Sequence, residues 1–140
     1  MDIDHAVVRR SGTDVSLVTY GATLHKALRA ADDLAKDGTN VEVVDLWVLR
    51  PLDIVTVEAS VRKTRRVVIV DEGWRSGGLS AEIAARIAES LFYELDAPVS
   101  RVCTAEVPIP YAKHLEDAAL PQVSAIVAAA RNLLGVAIAR

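Results

Sequence analysis

A chain of 140 residues, 51% of them hydrophobic, has the length of one domain and enough apolar material for a proper core. Its net charge of −3 offers no electrostatic footprint for nucleic acid, and no apolar run approaches the ~20 residues of a membrane span. With the single cysteine Cys103 there is no intrachain disulfide, and MDIDHAVVRR lacks the apolar centre of a secretory signal, so the expectation is a cytoplasmic chain.

Residues 5–10 and 15–20 are short apolar runs separated by Ser11-Gly12-Thr13-Asp14 and read as a β-hairpin. Residues 22–37 read as a helix with Leu24, Ala27, Leu28, Ala31, Leu34 and Ala35 on one face, stopped by Gly38. VEVVDL at 41–46 is a second β-branched strand. Asp53 is placed to cap a short helix over 54–63. Val67 to Val70 form a buried strand that ends on Asp71-Glu72-Gly73. Gly77-Gly78 then opens a helix over 79–93 that buries Leu79, Ile83, Ala84, Ile87, Ala88 and Leu91. Residues 99–104 are the last strand, 106–114 an ordered but irregular proline loop, and about 121–134 a final helix stopped by Gly135. Strands with continuous rather than alternating apolar residues, interleaved with helices, imply a compact three-layer α/β/α domain around a mostly parallel sheet.

Ligands of such sheets sit at the strands' carboxyl ends, so the Asp71–Gly78 turn is the first place to look for chemistry. GWRSGG fits neither the dinucleotide fingerprint nor the P-loop, which favours a tight turn over a phosphate cradle. Asp71 and Glu72 are neighbours on a strand and point to opposite faces, which favours a structural role over paired acid–base work. Trp74 in a polar turn is either a cap on the core or an interface anchor. Cys103 lies in an apolar strand and reads as inert. His5, His25 and His114 have no metal-ligand spacing, although His25 stands near the ligand-facing end of the sheet. No constellation amounts to a catalytic site. Apolar loop residues Trp47, Trp74, Ile109 and Tyr111 favour an interaction domain.

Five stretches carry a family resemblance: DVSLVTYGATLHKALRAADDLAKDGTNVEVVDL, LRPLDIVTVEASVRKTRRVVIVDEGW, GGLSAEIAARIAE, LDAPVSRV and VPIPYAKHLEDAALPQV. In this order they resemble the C-terminal domain of the β subunit of thiamine-diphosphate-dependent 2-oxo acid dehydrogenases, over roughly residues 14–134. LRPLD, DEGW and PYAK look more like the pyruvate and acetoin types than the branched-chain type.

The resemblance implies the transketolase C-terminal-domain fold: a five-stranded mixed sheet whose first strand is antiparallel and pairs with the third. That topology is preferred here to the hairpin. It also implies that this domain holds no cofactor, because thiamine diphosphate and magnesium lie elsewhere in the parent enzyme. The implied roles are assembly with the α subunit and a second β subunit, and docking of the acyltransferase's subunit-binding domain. The docking residues it implies are Asp96, in the LDAPV turn and placed to pair with a basic partner residue, and the chain end after Leu133-Leu134. With Trp74 and Tyr111 added, the best interaction residues are Asp96, Trp74, Tyr111 and Leu134, and a homodimer of the isolated domain is within reach. The chain departs from the family pattern at Asp45-Leu46-Trp47, where a ring replaces a charge, and at the tail from Gly135 to Arg140. A rival reading is a free-standing small-molecule-binding domain that uses Gly21, His25, Gly73 and Gly77. An enzyme built on Cys103 or His25 is the weakest reading.

Overall fold

The structure, a computed structural model, describes residues 5–135. Five strands form one sheet: β1 (Val7–Arg10), β2 (Val15–Thr19), β3 (Val41–Asp45), β4 (Val67–Trp74) and β5 (Ser100–Thr104). Their spatial order is β1-β3-β2-β4-β5. β1 runs antiparallel to β3, and the other pairs are parallel. The hairpin reading of residues 5–20 is therefore wrong. β2 pairs with β3 and β4 on its two sides, so no edge is left for β1. Gly12 lets the connecting chain lie against β3, where a Cβ would stand 2.2 Å from the Val41 carbonyl carbon.

The helices are α1 (Thr23–Lys36), α2 (Ile54–Thr64), α3 (Leu79–Leu91), α4 (Lys113–Ala119) and α5 (Val123–Leu134). α1 and α5 cover one face of the sheet over Val15, Leu17, Val41, Val43, Val68 and Val70. α2 and α3 cover the other over Val18, Val44, Val67 and Ile69. Each such side chain, fully withdrawn from water, contributes about 1.5–3 kcal/mol of transfer free energy.

Two polar strand residues interrupt the apolar runs and are satisfied internally. Ser16 Oγ lies 2.7 Å from both Ser60 Oγ and Thr64 Oγ1 of α2. Glu42 is buried against Lys63 and accepts a hydrogen bond from the Gly12 amide at 3.2 Å.

Most expected elements are present, with shifted ends. Asp53 caps α2 by accepting a hydrogen bond from the Thr56 amide at 3.2 Å, and it also accepts one from the Ala6 amide at 2.9 Å. α3 stops at Leu91, and Phe92–Glu94 tighten into a 3-10 turn. Ala88 is exposed and Ala84 only partly buried, so α3 offers more apolar surface than the chain covers. The irregular loop expected at 106–114 is present as far as residue 112, and α4, which was not expected, follows it; this helix buries only Ala119 and is too short to show a helical period. Pro121 precedes the final helix. Gln122 Nε2 donates to the Asp117 carbonyl at 2.5 Å and the Leu120 carbonyl at 3.1 Å, closing the end of α4.

Candidate functional site

β2, β3, β4 and β5 are parallel, so their carboxyl ends share one side of the molecule. Asp71 is fully buried there, in the carboxyl-terminal half of β4. Its Oδ1 accepts hydrogen bonds from the Tyr20 hydroxyl and from the Gly73 amide at 2.6 Å, and its Oδ2 accepts one from the Ser80 amide at 2.9 Å. Burial by itself lifts this carboxyl, but the bonds from Tyr20, Gly73 and Ser80 outweigh it and hold Asp71 below the usual carboxylate range. Burial, then the bond to Asp71, pushes the Tyr20 hydroxyl well above the ordinary tyrosine value.

The first turn of α3 is where a phosphate would seat itself, and Asp71 already fills that place. A diphosphate there would face a buried carboxylate. The residues at this end of the sheet therefore do not fit a diphosphate-bearing cofactor. Among the described residues, no group of three or more His, Cys, Asp or Glu side chains is arranged to hold a metal ion. Gly73 and Gly78 serve packing rather than a ligand: a Cβ on Gly78 would lie 2.1 Å from the Trp74 carbonyl oxygen. His25 is exposed on α1. Cys103 is half-buried, its Sγ 3.4 Å from Ser80 Oγ.

Three loops on this side carry exposed apolar side chains. Trp47 and Leu49 follow β3, Trp74 ends β4 with 49% of its surface open, and Val107, Ile109 and Tyr111 follow β5. Tyr111 is wholly exposed. Trp47 lies under Arg9, whose Cζ is 5.0 Å from the ring centroid. Arg9 also reaches Asp45 Oδ2 at 2.9 Å, so the ring is held by a cation from β1.

The other residues expected to take part in interactions lie on the opposite side, at the strands' amino ends. Asp96 precedes β5, and only 9% of its side chain is exposed. Its Oδ1 accepts from Arg65 Nε at 2.9 Å, and Arg66 Nη2 stands 3.7 Å from Oδ2. The family resemblance marks Asp96 but gives no sign of these arginines, thirty residues earlier. Leu134 ends α5 half-buried, and the tail after Gly135 lies outside the described residues. The structure thus separates Trp74 and Tyr111 at one end from Asp96 at the other.

A broad hollow lies elsewhere again. About 760 Å³ opens between α3 and the edge strand β5, floored by Ala81, Ala84, Ala85 and Ala88 and bordered by Arg75 and Arg101. Sequence reasoning missed it, since Ala84 and Ala88 read as core.

Residues 4–126 match the family model described as transketolase, C-terminal domain. The chain is 47% identical over 132 residues to the mitochondrial pyruvate dehydrogenase E1 component subunit beta-1 of Arabidopsis thaliana, covering 94% of this chain and 36% of that protein. It is 48% identical over 134 residues to the E1 subunit beta of Drosophila melanogaster, covering 95% and 37%. The human subunit is 44% identical over 135 residues, covering 96% and 38%. The chain therefore spans a little over a third of the length of these curated relatives. Among solved structures, a split gene transketolase described as an inactive beta4 tetramer superposes with a TM-score of 0.82 at 29% identity, covering all of this chain and 44% of that one. A 2-oxoglutarate:ferredoxin oxidoreductase from Magnetococcus marinus shares the fold, with a TM-score of 0.58 at 15% identity over 93% of this chain and 19% of that one. The five-stranded mixed sheet with β1 antiparallel is the fold of that family. The chain belongs to the transketolase C-terminal domain family and within it resembles the β subunits of the pyruvate dehydrogenase E1 component.

Proposed function

We propose that this chain is an assembly and partner-docking domain of a pyruvate dehydrogenase-type decarboxylating component. The parent reaction in this reading is oxidative decarboxylation of a 2-oxo acid with acyl transfer to a lipoyl group. The observation that carries the proposal is the side of the sheet where an active site is expected. It presents Trp47, Leu49, Trp74, Val107, Ile109 and Tyr111 to solvent, while its buried carboxylates, Asp71 and Asp45, are consumed by the fold. Apolar loops without a catalytic constellation suit an interface better than a reaction centre.

In this reading the carboxyl-end loops, with Trp74 and Tyr111 as anchors, meet the α subunit and the rest of a β subunit. Thiamine diphosphate and its magnesium ion belong to those other parts, and this domain binds neither. Asp96 and the end of α5 at Leu134 receive the acyltransferase's subunit-binding domain, with a basic residue of that partner sharing the carboxylate now held by Arg65. The compartment is aqueous: the relatives' names say mitochondrial, the sequence reading says cytoplasmic, and among the described residues no helix is long and apolar enough to cross a membrane.

The test is the mass in solution by light scattering, with and without the α subunit and the subunit-binding domain. A stable complex with either is the expected result. A monomer that binds neither overturns the reading, and a small-molecule-induced rise in melting temperature would then favour the rival ligand-binding reading. Asp96→Asn keeps the shape and removes the charge. It is expected to weaken docking of the subunit-binding domain at least about 5-fold while leaving the α subunit interaction unchanged.

A further inference from the structure

We propose that the groove between α3 and β5 receives an extended segment of a partner protein, apolar along most of its length and acidic near one end. The inference goes beyond the docking reading above and shares only Asp96 with it. Asp96 stands at the far end of the groove, its carboxylate bonded to Arg65.

Three observations carry the proposal. α3 and the turn after it have a wider apolar face than the described residues cover: Ala85, Ala88 and Phe92 are exposed, and the hollow they line continues to Pro98 and Val99. β5 is the last strand of the sheet and pairs only with β4, so its outer backbone row has no sheet partner. Arg75 and Arg101 close one end of the groove. Arg75 Nη1 donates to the Arg101 carbonyl at 3.0 Å, and Arg101 Nη1 donates to the Arg75 carbonyl at 2.8 Å. Each guanidinium has further donors to offer, and among the described residues neither makes an ion pair. The acid beside them, Glu106, accepts a hydrogen bond from the Ser76 amide at 2.9 Å.

The shape and charge fit an extended chain. The run of α3 from Ala81 to Leu91 spans about 15 Å, the reach of about five extended residues. Backbone of the incoming segment would pair with the open edge of β5, its apolar side chains would cover the alanines, and a carboxylate would meet the two arginines in charge-assisted hydrogen bonds.

The experiment selects seven-residue peptides from a randomised display library on the 140-residue chain and on the Arg75→Gln/Arg101→Gln variant. Native protein is expected to select apolar peptides enriched in Asp or Glu at one position. Those peptides should shift the amide resonances of 81–88 and 99–104, and bind about 10-fold more weakly when the acid becomes its amide. The double variant is expected to lose the acidic preference with an unchanged circular dichroism spectrum. If it fails to fold, Arg75→Gln alone, an exposed position, provides the same comparison. No enrichment for acid, shifts confined to another face, an unchanged selection on the folded variant, or a dimer that itself shields 99–104 would each overturn the proposal. Failure of the subunit-binding domain to dock at Asp96 would leave all these readouts unaffected.

Discussion

Asp71 answers to two elements at once. Its carboxylate joins the end of β2, through Tyr20, to the first turn of α3, through Ser80. Because its folded value is depressed, its contribution is full above the unfolded value near ~3.9 and is lost as the pH falls through the folded value. Because the folded value of Tyr20 is raised, its contribution is full below the unfolded value near ~10 and is lost as the pH rises. Asp71→Asn is expected to cost about 2 kcal/mol near neutrality and to flatten the acid limb of the melting-temperature profile. Tyr20→Phe should flatten the alkaline limb and also shrink the acid limb, because it removes one of the hydrogen bonds that hold Asp71 down. Circular dichroism melts between about pH 2.5 and pH 11 read both effects. Equal profiles for Asp71→Asn and the native chain would refute the assignment.

At the scale of the element, β4 must turn into α3 within four residues, and two glycines do different work there. Gly77 adopts φ +69°, with nothing within 4 Å of a prospective Cβ. Gly77→Ala is expected to cost only about 1 kcal/mol, the penalty of the left-handed conformation. Gly78 has an ordinary φ but sits against the Trp74 carbonyl oxygen. Gly78→Ala forces the turn open and should cost about 3 kcal/mol. Urea denaturation of the two variants separates these cases, and similar losses would show that one cause governs both positions. α2 offers a second check on element ends. Asp53 caps it and also ties down the amide of Ala6, so Asp53→Ala should cost about 1–2 kcal/mol and loosen the start of β1. Faster hydrogen exchange at the Ala6 and Thr56 amides would register both losses.

For the whole molecule, the exposed loops and the uncovered groove set the solution behaviour. The chain leaves Phe92 and Tyr93, an edge-to-face pair with ring centroids 5.3 Å apart, open to solvent beside the groove. It leaves Trp74, Ile109 and Tyr111 open at the carboxyl end. Self-association at high concentration is the expected outcome for the isolated chain. Replacing Trp74, Ile109 and Tyr111 together by Ser should suppress it more than replacing Phe92 and Tyr93 does, if the carboxyl-end loops form the principal assembly surface. Sedimentation velocity over a concentration series decides between the two faces.

The residues alone established the alternation of strands and helices, the covering of the sheet on both faces and the Asp53 cap. Those properties follow from local periodicity, capping chemistry and residue spacing, and they do not depend on which strand lies beside which. The family resemblance supplied the pairing of β1 with β3, where local signals alone read a hairpin across Gly12. Four things were decided only by the tertiary structure. Asp71 fills the start of α3, Trp47 lies under Arg9, Asp96 is held by Arg65 and Arg66, and Arg75 clasps Arg101 at the sheet edge. Apart from the close turn around Asp71, these are contacts between groups some thirty residues apart. The positions of their partners depend on how the sheet assembles. The helical period likewise marks Ala84 and Ala88 as apolar, but it cannot tell whether another element covers them. The sheet ends at β5, and among the described residues Ala84 is only partly covered and Ala88 is left exposed.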